Sequence, residues 1–411
     1  MDAFENKRAR NILMRKLKVL IYGNVWSKSG GTKTFSALQK SDILDIYFGA
    51  PIAGSLSQYD VPNHKFIYMP SRTELLLGRN NLIAGITSKM DIVVDCLPST
   101  TVDPDLFSIL YHSMAPINIL HSVFGPDRIF EKKNYIDAYF CVSLDVMRNM
   151  WDLSYYNELI YCLPCMTFEH KYSKRARDDI RSKFSIPQDA FVVGSTLTDD
   201  TLNRSVMTEF VKRHPETYYI TTTKYEETDR FGCRGIPPNF RCIDQVNAYD
   251  VDNTLTAYDV FLHTRTETFG SCVFEALSAN LPVVARWTGS NNGFAECIYP
   301  NGGYLAGHGE DNLKRSIDDC VLALEYIYKN YAEAKGRAKI GHERTKKWLD
   351  RNIIPQFEKL FLTLAVTKNI IQDSDAKDLK MVSFLSKDNL SEWRDKTRPE
   401  IESLLSRSSF I

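Results

Sequence analysis

Short runs of Val, Ile, Leu, Tyr and Phe recur along the chain, separated by polar or amphipathic stretches of helix length. That alternation is the pattern of parallel α/β units. One series of predicted strands covers Leu17 to Tyr22, Ile43 to Phe48, Asp91 to Asp95, Ile117 to His121, Ala138 to Val142 and Leu159 to Leu163. A second covers Phe191 to Ser195, Tyr218 to Thr222, Phe240 to Asp244, Asp259 to His263 and Pro282 to Ala285. Most of these runs are nearly continuous in apolar residues, as expected of strands covered by helices on both faces, so two doubly wound sheets fit the pattern. Between the series, residues 171–183 read as a charged helix whose basic positions form a solvated face, followed by a turn from Ser185 to Pro187. Beyond Arg344 the period becomes helical, with Trp348, Leu349, Ile353, Ile354, Phe357, Leu360 and Phe361 marking one face. Pro355 is expected to kink or restart that helix, and a last helix is predicted from Leu390 to Leu405.

At 411 residues the chain has room for two to three domains of roughly 150 residues each. Hydrophobic residues at 44% and charged residues at 25% exclude a collagen-like, disordered or disulfide-scaffold chain. Lys plus Arg equals Asp plus Glu at 51 each, so no global field recruits nucleic acid or anionic lipid and a specific site must do the recognising. The longest apolar runs hold about half a dozen residues, against the roughly 20 that span a bilayer. The basic N-terminus lacks the apolar core of a secretory signal, and the nine cysteines form an odd, scattered set, which together imply a cytoplasmic chain with reduced, buried thiols. Cys162-Leu-Pro-Cys165 has no partner pair and only His170 nearby, so it reads as structural.

Open α/β sheets bind ligands at the carboxyl ends of their strands. The turn after the first strand carries Gly30-Gly31-Thr32-Lys33, which fails the phosphate-loop pattern because Thr32 separates Gly31 from Lys33, and fails the dinucleotide fingerprint on spacing. A glycine pair at a helix N-terminus still lets backbone N–H groups approach an anion, although a plain structural turn explains the same residues. The most informative segment runs from Asp259 to Ala285. A buried strand ends near His263, a loop carries Glu267, Gly270 permits close backbone approach, and a helix begins near Ser271 with Glu275 about one turn inside it. The helix N-terminus suits a diphosphate, and Glu275 can accept hydrogen bonds from vicinal hydroxyls such as those of a ribose. In isolation, the two glutamates read first as a dipole-placed carboxylate and an exposed loop charge.

They are not isolated. Glu267-Thr-Phe-Gly270 through Glu275-Ala and on to Pro282-Val-Val-Ala285 resembles the E-x-F-G-x-x-x-x-E-A and G-x-P-V-V-A signature of the family 4 retaining glycosyltransferases of the GT-B fold, with Asn280 in place of the usual glycine. Residues 287–296 and Asn301-Gly302-Gly303 resemble the loops that follow it, while Gly30-Gly31, the strand ending in His121 and Asp137 to Ser143 resemble features of the family's first domain. The resemblance implies an α/β, GT-B architecture of two Rossmann-like doubly wound domains with a cleft between them: an acceptor-side domain over 1–168, a donor-side domain over 186–345, and C-terminal helices over 346–411 packing back toward the first. It implies transfer of a sugar, with retention, from a UDP- or GDP-sugar to a glycan, glycolipid or glycoprotein hydroxyl. It implies no metal or other cofactor, no nucleic-acid partner, and at most peripheral contact with a membrane. By the same resemblance, Glu267 meets the donor sugar, Glu275 the ribose, Phe269, Gly270, Ser271, Gly30 and Gly31 the rest of the donor, and His121 the point of transfer.

The family's Gly-Arg and lysine signature after the first strand of the second domain is missing, since Ser195 follows Gly194. Arg204 is expected to supply the cation for the diphosphate, with Lys224 and Arg265 as alternatives. An epimerase of the same fold and a non-catalytic sugar-nucleotide-binding protein are the alternative functions.

Overall fold

The computed structural model describes residues 15–23, 30–50, 62–70, 74, 78–96, 109–122, 135–152, 160–162, 170, 172–195, 201–222, 237–243, 251–289, 292–307, 312–371 and 391–411. The chain forms two compact units, one of residues 1–166 and 350–387, the other of residues 167–349 and 388–411. Among the described residues no helix is long and apolar enough to cross a membrane.

The first unit is built on a seven-stranded sheet of β1 (Leu17–Tyr22), β2 (Leu44–Ala50), β3 (Phe66–Tyr68), β4 (Ile92–Asp95), β5 (Ile117–Ser122), β6 (Ala138–Cys141) and β7 (Ile160–Cys162), in the order β3-β2-β1-β4-β5-β6-β7. Every pairing is parallel. β4 and β6 are buried along their whole length, which is why their sequences show no alternation. β3 goes beyond the predicted strands. It is an edge strand of three residues ending on the exposed Tyr68.

The second unit carries a six-stranded sheet of β8 (Val192–Ser195), β9 (Tyr218–Thr221), β10 (Phe240–Cys242), β11 (Val260–His263), β12 (Val283–Arg286) and β13 (Tyr304–Ala306), in the order β10-β9-β8-β11-β12-β13, again all parallel. One face packs Val193, Val260, Leu262 and Val284 against Phe210, Val321 and Leu324 of the flanking helices Thr201–Arg213 and Leu313–Lys329. In each sheet the winding reverses once, between β1 and β4 and between β8 and β11. The carboxyl ends of those two strand pairs are therefore the places where an open sheet of this kind leaves a crevice for ligand.

The helix Lys174–Lys183 begins on an N-cap, Ser173, whose Oγ accepts from Ala176 N at 3.2 Å. Its basic positions do not form a wholly solvated face. Arg181 is fully buried, donating to the carbonyls of Ala257, Gln188 and Ala190 and to Asp259 Oδ2 at 2.8 Å, and Arg177 reaches Asp259 Oδ1 at 2.9 Å. Periodicity read the run as polar because it cannot see a buried carboxylate waiting on another strand.

Two features of the chain's last quarter depart from expectation. The helix Asp350–Thr367 runs unbroken through Pro355. A proline in the second turn removes one early bond, and the buried side chains of Ile353, Phe357, Leu360 and Phe361 hold the helix in place. Phe357 meets Phe35 at 5.8 Å and Phe140 at 6.0 Å within the first unit. The tail beyond residue 387, however, belongs to the second unit and not to the first, correcting the expectation for 346–411 as a whole. The helix Arg398–Arg407 buries Ile401 and Leu405, and the backbone of Ile411 exchanges two bonds with Leu305 at 3.0 and 3.1 Å, an antiparallel pairing along β13. Phe410 packs on Tyr304 and Tyr326 beside it. β13, a three-residue strand absent from the predicted set, thus offers the edge that draws the tail to this unit.

Replacing Arg181 with Met should destabilise the second unit by about 3 to 5 kcal/mol, because it strips a buried carboxylate and three carbonyls of their donor. Urea unfolding of the variant beside wild type measures it; a midpoint that does not move would show that Arg177 alone satisfies Asp259.

Candidate active site

The second unit's switch point is set by the register of β8 on β11, which pairs Val260 with Val193 and Phe261 with Gly194. A Cβ on Gly194 would stand 2.1 Å from the Tyr258 ring, so only glycine lets the ring cross the strand there. β11 is buried throughout and Thr264 remains buried after it. The chain surfaces at Arg265, turns inward again at Thr268, and enters the helix Ser271–Ser278 through Gly270, which has a left-handed φ of 79°. Phe269 stacks on Phe274 at 4.1 Å, fixing the loop to the helix it precedes. The first helical bond comes from Val273 N to Gly270 O at 2.9 Å, so the amides of Ser271 and Cys272 stand ahead of the helical ladder, at the positive end of the dipole.

Glu267 is half-buried, and its backbone bridges in parallel to that of Asn292 in the loop after β12. Gly293 N donates to Glu267 O at 3.3 Å, and Asn292 Oδ1 accepts from both the N and the Oγ1 of Thr288 at 3.1 Å. The loops leaving two neighbouring strands are in this way joined at Glu267. Arg265 lies 3.9 Å from the Glu267 carboxylate, the loop ion pair. Glu275 is buried in the second turn of the helix. Cys272 lies near enough to both carboxylates to feel them: its pKa is pushed far up, first by burial and then by the charges of Glu267 and Glu275. Its Sγ stands 3.5 Å from Nδ1 of His263, which burial holds down to about 3, so that the imidazole is neutral at pH 7. Sequence reasoning gave this Cys–His pair no role; the available signal was a histidine closing a buried strand and a cysteine opening the next helix.

Arg204 is buried one turn into the helix Thr201–Arg213, which leaves the carboxyl end of β8. The N-terminus of that helix is tied to the strand by Asn203 Nδ2, which donates to Ser195 Oγ at 2.7 Å. Lys224, the alternative cation, lies outside the described residues. Glu267, Phe269, Gly270, Ser271 and Glu275 thus share one loop–helix corner, while Arg204 stands on the helix that follows the adjacent strand β8.

His121, Gly30 and Gly31 belong to the first unit. Gly30 and Gly31 open the helix Gly30–Ala37, and Phe35 of that helix meets the buried His121 ring edge-on at 5.2 Å. Burial lowers His121 to about 4, leaving it neutral at pH 7. Asp95, buried at the end of β4 opposite Tyr22 in register, is a carboxylate at the first sheet's switch point that sequence reasoning passed over as a strand end. Cys162 is buried in β7, and Cys165 lies outside the described residues.

No protein-family model matches the chain, and no curated protein matches it either. Solved structures do share its fold. HepE from Anabaena in complex with UDP-glucose is similar at a TM-score of 0.67 and 14% identity, over 84% of this chain and 100% of that one. A glycosyltransferase from Rickettsia africae gives 0.67 and 14% over 85% and 99%, and a proposed UDP-N-acetylglucosamine 2-epimerase from Listeria monocytogenes gives 0.56 and 14% over 90% and 100%. The architecture is α/β, of the GT-B kind, with two Rossmann-like parallel sheets.

The two neutral histidines have a consequence for stability. Each has a folded pKa below its ordinary 6.5, so between those values the unfolded chain binds more protons than the folded one. The stabilisation is complete above about pH 6.5 and is lost as pH falls through about 4 for His121 and about 3 for His263. At about 1.4 kcal/mol per unit, His121 alone should account for roughly 3 kcal/mol of the loss. Unfolding free energies of wild type and His121→Gln between pH 7 and pH 4 check this, with a shallower decline expected in the variant.

Proposed function

We propose that the protein is a glycosyltransferase that moves a sugar from a nucleoside diphosphate sugar to an acceptor hydroxyl with retention of anomeric configuration. The observation that carries this reading is the corner at the second sheet's switch point, where two carboxylates eight residues apart flank the open N-terminus of a helix. Glu275 accepts from the ribose hydroxyls, the helix amides and Arg204 take the diphosphate, and Glu267 orients the sugar. In the transfer step, the bond from the anomeric carbon to the phosphate oxygen breaks and the acceptor oxygen bonds to that carbon. The acceptor proton passes to the departing diphosphate. Charge develops on that diphosphate, and fixed donors aimed at it lower the barrier. His121 is neutral and buried, which suits a residue that positions the acceptor side better than a proton store. Gly30 and Gly31 contribute backbone amides on the first unit, and the acceptor is a glycan, glycolipid or glycoprotein. The reaction as drawn calls for no metal.

The presence of UDP-glucose in the HepE structure makes a UDP-sugar the first donor to try, with GDP-sugars next. The likeness to the Listeria protein keeps a second reading open, epimerisation of a UDP-sugar, which consumes donor with no acceptor present and releases no free nucleotide. A panel of nucleotide sugars screened by thermal shift identifies the donor, because a ligand bound to the folded state raises stability by RT ln(1 + [L]/Kd).

With the donor in hand, Glu275→Gln should weaken both it and the free nucleoside diphosphate by about one to two decades, the equivalent of roughly 1.5 to 3 kcal/mol for bonds to a charged acceptor. Arg204→Ala should likewise weaken both. Glu267→Gln and His121→Ala should slow transfer while leaving the free nucleoside diphosphate bound nearly as in wild type. Calorimetric titration of the four variants checks the assignment; wild-type nucleotide affinity in Arg204→Ala would move the phosphate cation elsewhere.

A further inference from the structure

We infer that Arg398, in the helix Arg398–Arg407, is a positioning residue that sets the Glu267 corner; this rests on the reading of that corner as the donor-sugar site. The Arg398 side chain is mostly buried, and its guanidinium lies 5.7 Å from the centre of the Trp287 ring. Its Nη2 donates to the carbonyl of Gly289, and its Nε lies 3.1 Å from Glu402, which holds the fork in place. Trp287 is itself buried and begins the loop after β12. Gly289 adopts a left-handed φ of 79°, and among the described residues nothing packs within 4 Å of where a Cβ would stand, so the Arg398 bond to its carbonyl is a fixed contact on an otherwise loosely packed turn. From there the connection to Glu267 is continuous. Thr288 donates twice to Asn292, Asn292 bridges the backbone of Glu267, and Gly293 N donates to Glu267 O.

A second tie from the same helix supports this loop. Glu400 accepts from the hydroxyl of Tyr299, which follows the short helix Ala295–Ile298 that the loop enters. The helix is anchored independently by buried Ile401 and Leu405, so it can act as a fixed post against which Arg398 pulls. Only arginine can stack a flat cation on an indole and donate in plane to a carbonyl at once; lysine can do one of these.

The test uses the full chain as Arg398→Ala, Arg398→Lys and, as a control, Arg407→Ala, whose exposed side chain, among the described residues, bonds within its own helix to Ser403. In Arg398→Ala the Gly293 amide should exchange with solvent about tenfold faster, while amides of β11 stay protected. UDP-glucose should lose about five- to tenfold more affinity than free UDP, because Glu267 reaches the sugar and Glu275 the ribose. Arg398→Lys should recover part of both effects, and Arg407→Ala should match wild type. Unchanged Gly293 exchange, or equal losses for UDP and UDP-glucose, would overturn the role of Arg398 while leaving the donor site standing. A wild-type chain that binds neither UDP-glucose nor GDP-mannose would instead defeat the donor-site reading, and the Gly293 exchange rate would then decide by itself whether Arg398 holds the corner.

Discussion

Asp259 is the side chain on which the second unit turns. It precedes β11, and its carboxylate accepts from Arg181 at 2.8 Å, from Arg177 at 2.9 Å and from the backbone N–H of Val192, at the start of β8, at 2.7 Å. One buried charge thereby ties together the amino ends of the two strands between which the sheet reverses its winding. A carboxylate taken out of water is costly unless its partners are close and complete, and here both oxygens have them. Since the register is pinned at these ends, the opposite ends, Ser195 and His263, emerge at defined heights, from which the Glu267 loop and, further on, the Arg204 helix follow.

What those loops then build depends on close packing as much as on charge. The Tyr258 ring lies where a side chain on Gly194 would be, Phe294 stands 3.0 Å from where a Cβ on Gly270 would sit, and Asn292 locks the loop after β12 onto Glu267. Two carboxylates beside the half-buried thiol of Cys272 repel one another. Set beside the positive end of a helix dipole, that repulsion is partly offset. In the proposed reading the diphosphate cation has moved from the end of β8 to the first turn of the following helix, because Ser195 serves instead to receive Asn203 and seat that helix.

Continuous apolar runs made the long, buried strands readable, and the Glu267 to Ala285 segment announced its loop–helix corner through residue types whose spacing has a physical use. Two short strands escaped. β3 and β13 hold three residues each, as β7 and β10 also do, and they follow directly on short turns, a one-turn helix at Asn63–Lys65 and the turn at 301–303, that hide where the strand begins. Arg181 looked solvent-facing because a helix of alternating charge gives no hint that one of its cations has a buried partner nearly eighty residues away. Cys272 and His263 drew no attention for the same reason, since their approach is made by the turn between them.

The sequence by itself determined the things that local chemistry controls: two series of buried strands, a helix starting after Gly270, and a pair of glutamates placed at its mouth. Which strands are neighbours, where each sheet reverses, and that the last helix and Ile411 join the second unit and not the first were decided only by the tertiary structure. The physical reason is that burial depends on the partner surface. The apolar face of the Arg398–Arg407 helix records that something must cover it, while the backbone edge of β13, to which Ile411 pairs, and the carbonyl of Gly289 determine what does.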